Sequence, residues 1–277
     1  MGKSNSFRSG RAQPSTVSRL MAPSFSHMQV LQFISATAVV YIFVTQKFSA
    51  AWWLAALGAY FLTGCIGLTV TLHRSLAHRS FALPKPLEYL FTWFGIVGGT
   101  GSSIAWVAMH RFHHQNVDGD DDPHSPEKMG WKLLFSFYDY EFKPSHAKDL
   151  LRSRFHLFIH RYYAVLLVAW ASALALININ LALYCFFVPV FIQITVSNMT
   201  SLLTHSEGYR AHDTSDKSVN NFTIAILAWG EGWHNNHHAS PRQWRFGQKW
   251  WEIDPGAEVI ALLGRVGLTR LPHRAAA

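Results

Sequence analysis

Four long apolar stretches constrain this chain more than any other feature. A helix that crosses a bilayer needs about 20 mostly apolar residues. Residues 28–44, 50–72, 162–177 and 181–203 are of that kind, and none of them contains a charged residue. A fifth apolar stretch, 87–108, is interrupted by Gly95, Gly98, Gly99 and Gly101 and by polar Thr100, Ser102 and Ser103. Charge counting decides how to read it. If four stretches span and the fifth stays on one side, 23 of the 24 Lys and Arg residues share a face, and only Lys47 lies opposite. The positive-inside rule then places both termini in the cytosol. The fifth stretch is expected to be re-entrant or interfacial.

The expected fold class is therefore an all-α polytopic membrane protein with four transmembrane helices. A single domain over 27–268 would carry a cytosolic helical cap made of residues 73–161 and 204–268. Residues 1–26 are Ser/Arg-rich without an acid and are expected to form a flexible cytosolic tail, with a second short tail at 269–277. Residues 257–268 read as an amphipathic helix resting on the bilayer. Charged residues make up only 14% of the chain, about half the usual share in soluble proteins. The net charge of +8 is accounted for by topology, and no nucleic-acid motif accompanies it, so no nucleic-acid partner is expected. Two cysteines, Cys65 and Cys185, both in apolar stretches, exclude a disulfide scaffold and a cysteine-ligated zinc site.

The second constraint is histidine. There are 16, as many as Asp and Glu together, and nine fall into four groups at the cytosolic ends of the spans. These are His73 and His78 in HRSLAH, His110, His113 and His114 in HRFHH, a lone His205, and His234, His237 and His238 in HNNHH. At this histidine frequency a chance HxxHH is expected roughly 0.05 times in the chain, and two copies are present. Residues at i, i+3 and i+4 of a helix share a face, so each HxxHH presents three imidazoles in one direction. His73 and His78 stand about 140° apart on an ideal helix and are expected either to reach different metals or to sit across a distorted helix end. Eight or nine imidazoles exceed what one metal holds, which implies two metals. Imidazole suits Zn, Cu, Fe and Ni alike, and the chain has no HExxH and no paired Glu-x-x-His. His124, in Asp122-Pro123-His124, is expected to hydrogen-bond near the second group. His27, His146, His156, His160, His212 and His273 read as surface residues.

With these boxes the chain resembles the membrane fatty-acyl desaturase family, in its Δ9-type branch of stearoyl-CoA desaturases and bacterial relatives. The flanking sequences match too: Asp122-Pro123-His124 after the second box, Gly230-Glu231-Gly232-Trp233 before the third, and Trp250-Trp251-Glu252-Ile253-Asp254-Pro255 after it. The similarity runs from about residue 30 to 268. The resemblance implies two Fe ions held by His73, His78, His110, His113, His114, His205, His234, His237 and His238, with O2 as co-substrate. Family members place an asparagine four residues before the lone histidine, reaching the metal through water. Here that position is Ser201, with Asn198 one turn earlier. Asp122 and Glu231 are expected to orient imidazoles. Acyl-CoA members tend to carry an arginine two residues before the second box, where this chain has Ala108. That points away from CoA and toward a glycerolipid or an acyl-carrier protein.

The expected activity is removal of two hydrogens from a methylene pair of a long acyl chain, giving a cis double bond at Δ9. Acid–base side chains cannot abstract such hydrogens; a metal–oxygen oxidant is required. The sequence carries no fused electron-transfer segment, so an external donor of ferredoxin, rubredoxin or cytochrome b5 type is expected. The setting would be a bacterial inner membrane, or the endoplasmic reticulum of a eukaryote. Three rival readings differ from this one in features of the sequence or of the product. A lipid hydroxylase or acetylenase would share the boxes. A non-enzymatic membrane metal carrier or sensor would need a polar path that the uncharged spans do not offer. A bis-histidine haem protein would place its histidines inside spans rather than at their ends.

Overall fold

A computed structural model of the chain describes residues 26–137 and 143–271. The N-terminal tail, apart from Ser26, and the last six residues with His273 lie outside the described residues. Every regular element among the described residues is helical. Among the described residues four helices are long and apolar enough to cross a membrane. They are α1 (Ser26–Thr45), α2 (Ala50–Ala77), α5 (Arg154–Ile177) and α6 (Ile179–Leu203). Large apolar side chains face outward along them, among them Phe33, Val44, Val165 and Leu176. That is the expected outer surface of lipid-facing helices, which need not be polar on any side.

The boundaries differ from the sequence expectation in two instructive ways. Helix α2 continues past the apolar stretch to Ala77, so the first histidine box is helical and continuous with a span. Helix α5 starts at Arg154, eight residues before the expected start, and bends at Tyr162, whose backbone leaves helical geometry. This extension overturns the surface reading of His156 and His160. Both are buried, because the first turns of α5 pack on the start of α4 (Ser103–Asn116). His156 Nδ1 lies 2.9 Å from Ser103 Oγ and His160 Nδ1 lies 2.6 Å from Ser102 Oγ. His27 is exposed and His146 and His212 are partly exposed, as expected.

The fifth apolar stretch forms two short helices, α3 (Lys85–Val97) and α4, separated by a glycine turn. Gly99 and Gly101 there have positive φ. Helix α3 lies directly on α2, and the two backbones meet at Gly67 and Gly95: a Cβ on Gly67 would stand 2.2 Å from Gly95 N. One apolar core joins α1, α3, α5 and α6 through Met28, Ile96, Ile159, Tyr163, Val190 and Ile194. Another joins α2 and α4 through Leu68, Leu72, Leu76, Ile104 and Val107. Beyond α6 come the short helices α7 (Phe222–Leu227) and α8 (His234–Ala239), then α9 (Pro255–Arg265). Helix α9 is amphipathic as expected, but its buried face packs on protein. Ile260 and Leu263 meet Val70 of α2 and Phe81 and Leu83.

Candidate metal centre

All nine box histidines converge at one end of the bundle. Helix α2 delivers His73 and His78, α4 delivers His110, His113 and His114, the end of α6 leads into His205, and α8 delivers His234, His237 and His238. The last part of α2 is wound in wide turns in which His78 N–H donates to His73 C=O, five residues back. Such i→i−5 winding is rare and frequent at functional sites. It brings residues five apart onto one face, so the ring centroids of His73 and His78 are 4.8 Å apart. The distorted helix end is therefore what occurs, and the two rings join one group rather than two.

The donor nitrogens form two groups, each with its atoms within 4.8 Å of one another: His73, His78, His110, His114 and His237 in one, His113, His205, His234 and His238 in the other. The i, i+4 pair of each HxxHH stays together, while the i+3 ring crosses to the other group. His110 and His114 pair off from His113, and His234 and His238 pair off from His237. Three imidazoles thus leave one helix face toward two neighbouring centres. A ring contact of 4.6 Å between His114 and His238 links the groups.

Carboxylates orient the rings from behind. His113 Nδ1 donates to Asp122 Oδ1 at 2.9 Å, His238 Nδ1 donates to Asp216 Oδ2 at 2.8 Å, and His73 Nδ1 contacts Glu231. His205 Nδ1 lies 3.2 Å from Asp118 Oδ1. Asp122 and Glu231 were expected in this role; Asp118 and Asp216 were not. Asp118 sits only four residues past the second box, where its spacing was a usable signal, but Asp216 comes from an irregular loop with no pattern around it. His124 packs on His113, with ring centroids 4.1 Å apart, and its backbone N–H donates to Asp122. Ser201 lines the cavity beside the centre. The Asn198 amide donates to Leu134 C=O and Ser136 Oγ.

A buried ion pair braces the site. Arg74, beside His73 and fully buried, donates to Asp254 in a two-pronged contact at 2.9 and 3.1 Å and to Trp244 C=O at 2.8 Å. Its guanidinium stands 3.9 Å from the centre of the Phe246 ring, which packs on His237 at 4.3 Å. Arg74 also lies 3.7 Å from Glu231. Glu231 reaches this position through a tight turn in which Trp229 and Gly230 both have positive φ. Gly230 is required twice over, since a Cβ there would sit 2.2 Å from Asp254 Oδ1.

The donor set fits metal ions. Burial, then the crowding of neighbouring imidazoles, pushes His78, His110, His113, His114, His234 and His237 well below the ordinary histidine value. Burial brings His124 down to about 4. Neutral rings carry the lone pairs that metals need. Donation from Nδ1 leaves Nε2 of His113 and of His238 bare, and both of these buried atoms lack a hydrogen-bond partner. His73 Nε2 faces His237 Nε2 at 3.2 Å, and His237 Nε2 faces His114 Nε2 at 3.1 Å. One proton on His237 Nε2 can satisfy one of these two contacts but not both, and a cation among the three nitrogens would satisfy them together. A cavity of about 90 Å³ runs from His73, His110, His113 and His234 toward Tyr60, Gly64 and Gln193, deep between the helices.

Residues 51–267 match the fatty acid desaturase family. Among curated relatives, the chain is 36% identical to an sn-1 stearoyl-lipid 9-desaturase of Anabaena variabilis, over 91% of this chain and 96% of that one. It is 34% identical to an acyl-CoA C20 Delta5-desaturase of Anemone leveillei, over 85% and 78% of the two chains. It is 37% identical to a chloroplastic palmitoyl-monogalactosyldiacylglycerol delta-7 desaturase of Arabidopsis thaliana, over 79% of this chain but only 62% of that protein. Their names differ in double-bond position and acyl carrier at nearly equal identity, so similarity alone fixes neither. The chain belongs to the fatty acid desaturase family, whose members are oxidoreductases.

Proposed function

We propose that this protein is an O2-dependent fatty-acyl desaturase that introduces a cis double bond at Δ9 into a long-chain acyl substrate. The observation that carries the reading is the pair of buried histidine groups, with bare Nε2 atoms, opening onto a cavity between apolar helices. His73, His78, His110, His114 and His237 would hold one iron, and His113, His205, His234 and His238 the other. Two irons bound there supply the oxidising power that acid–base side chains lack. The overall reaction balances as one CH2–CH2 pair, O2, two electrons and two protons giving one CH=CH and two waters. The electrons come from a separate donor of ferredoxin, rubredoxin or cytochrome b5 type.

The chain's own residues do the positioning. Asp122 and Asp216 hold Nδ1–H of His113 and His238, which fixes those tautomers and leaves Nε2 free for the centre, while Glu231 and Asp118 lie against Nδ1 of His73 and His205. Tyr60, Gly64 and Gln193 would form the far end of the acyl channel. The membrane arrangement belongs to this proposal as well. Four crossings put the termini, the cap over 73–161 and 204–268 and the histidine face in the cytosol, of a bacterial inner membrane or of an endoplasmic reticulum. The substrate is an acyl chain on a glycerolipid, on CoA or on an acyl-carrier protein. The relatives' printed names favour the first two.

Mass spectrometry of fatty acids from cells expressing the protein, against a His237→Ala control, tests this reading. The expected product is a His237-dependent monoene two hydrogens lighter than its parent, with the double bond mapping to carbon 9. A product one oxygen heavier would establish the hydroxylase alternative instead.

A further inference from the structure

The segment after the second histidine box carries an aromatic ridge that the metal centre does not use. Trp131 is 67% exposed, Phe135 55% and Phe137 48%, on and just after the short turn Gly130–Phe135. Lys132 is exposed among them, while Leu133 and Ser136 of the same segment are buried. The inner side is fastened to two of the long helices by a closed ring of hydrogen bonds. Gln32 of α1 donates from Nε2 to Leu134 C=O at 2.9 Å, and Ser136 Oγ donates to Gln32 Oε1 at 2.9 Å. Asn198 of α6 donates from Nδ2 to Ser136 Oγ at 3.0 Å and to Leu134 C=O at 3.3 Å. Ser136 has a φ of +56°, in the left-handed region that a serine keeps only when its surroundings hold it.

Depth is the informative quantity. Gln32 lies six residues inside the start of α1, and Asn198 lies five residues before the end of α6. At the helical rise that is about 8 Å below the helix ends. The segment therefore sits beside the two helices rather than above them. Irregular backbone at such a depth is tolerated where its polar groups are satisfied and it borders a cavity. Aromatic side chains with a neighbouring lysine at this level match the interfacial belt of membrane proteins. Directly behind the ring is the cavity of the metal centre. Met28, one turn before Gln32, lines it, as do Ser197 and Ser201, which flank Asn198.

We propose that the Gln32–Ser136–Asn198 ring closes a lateral opening between α1 and α6, through which the acyl chain of a bilayer glycerolipid enters the cavity while still esterified. Trp131, Phe135 and Phe137 seat the opening among the headgroups, and Lys132 meets their phosphates. The inference rests on the acyl-desaturase reading and adds the carrier and its route.

The test uses the full chain in phosphatidylglycerol/phosphatidylcholine vesicles. Nitroxide labels on Trp131→Cys and Phe135→Cys, in a Cys185→Ala background, are saturated against O2 and against a water-soluble nickel chelate, with Asp121→Cys as the aqueous reference. The expected result is severalfold greater O2 than chelate accessibility at 131 and 135 and the reverse at 121. Chelate-dominated labels at 131 and 135 would overturn the proposal. In a second arm, Gln32→Cys with Ser136→Cys is joined by a disulfide, or by dibromobimane where the direct bond does not form. Joining is expected to cut the rate on vesicle stearoyl-lipid at least tenfold, and reducing the disulfide restores it. A joined protein with an undiminished rate, or a wild type faster on dispersed stearoyl-CoA than on stearoyl-lipid, would also overturn it. Failure confined to these comparisons counts against the lateral opening alone. Wild-type protein that makes no double bond with either carrier counts against the acyl reading beneath it.

Discussion

Arg74 and Asp254 offer the sharpest perturbation of the site's scaffold. Both side chains are fully buried, and the two-pronged contact between them ties the first histidine box to the segment before α9. Removing one member of a buried ion pair costs about 3–5 kcal/mol, because the other charge is left uncompensated. The two single variants should not cost the same. In Arg74→Met the Asp254 carboxylate still accepts from the backbone N–H of Phe246, Gly247 and Ala257, so the loss falls near 3 kcal/mol. In Asp254→Ala the guanidinium keeps Trp244 C=O, the Phe246 ring and Glu231 at 3.7 Å but loses its one close carboxylate, and three backbone donors lose their acceptor. One of those donors is at the first turn of α9, and a lost N-cap adds about 1 kcal/mol, putting this variant at 5 kcal/mol or more. For a domain of this size each kcal/mol shifts Tm by roughly 2–4 °C, which gives about 6–12 °C for Arg74→Met and at least 10 °C for Asp254→Ala. Thermal unfolding in detergent, followed by intrinsic tryptophan fluorescence, reads both. The reasoning fails if Asp254→Ala is the milder variant, or if either shifts Tm by less than 2 °C.

Three further outcomes are expected. Asp216→Asn and Asp118→Asn should each weaken metal retention about 10–100-fold, since partners behind metal-binding imidazoles contribute on that scale; competition with a chelator measures it. Gly67→Ala should destabilise by about 3 kcal/mol or more, because its Cβ meets Gly95 backbone that cannot step aside, whereas Gly58→Ala, with nothing within 4 Å, should not; paired melting curves decide. The guanidinium groups of Arg111 and Arg79 hold the Asp149 carboxyl well below its ordinary value against the opposing pull of burial. A depressed folded-state value contributes stability that is present above about pH 4 and lost as pH falls below it. Asp149→Asn should therefore lower Tm at pH 7 and narrow its gap to wild type toward pH 3.

What the sequence made legible, and what it did not, divides by the range of the interactions involved. The four long helices follow from local apolarity, and the histidine boxes from a spacing that chance does not produce. Which ring joins which group was not legible. It depends on the wide winding of α2 at His73 and His78, and on how α4 and α8 face each other across the site. His156 and His160 look like surface residues among charged neighbours. They are buried because α5 starts early and lays them on Ser103 and Ser102, contacts more than fifty residues away. Asp216 was missed for the same reason: its partner His238 is 22 residues distant across an irregular loop. Asn198, one turn before the family's asparagine position at Ser201, donates to Ser136, on a segment whose position between α1 and α6 no local signal announces.

Metal analysis of the purified protein is the most direct test of the account, by mass-spectrometric counting of iron, zinc and copper per chain after expression in iron-replete medium. The account predicts two irons per chain, with loss of iron in both His237→Ala and His113→Ala, one from each group. A preparation that is folded by its melting curve yet holds a single metal, or none, would contradict the paired centre.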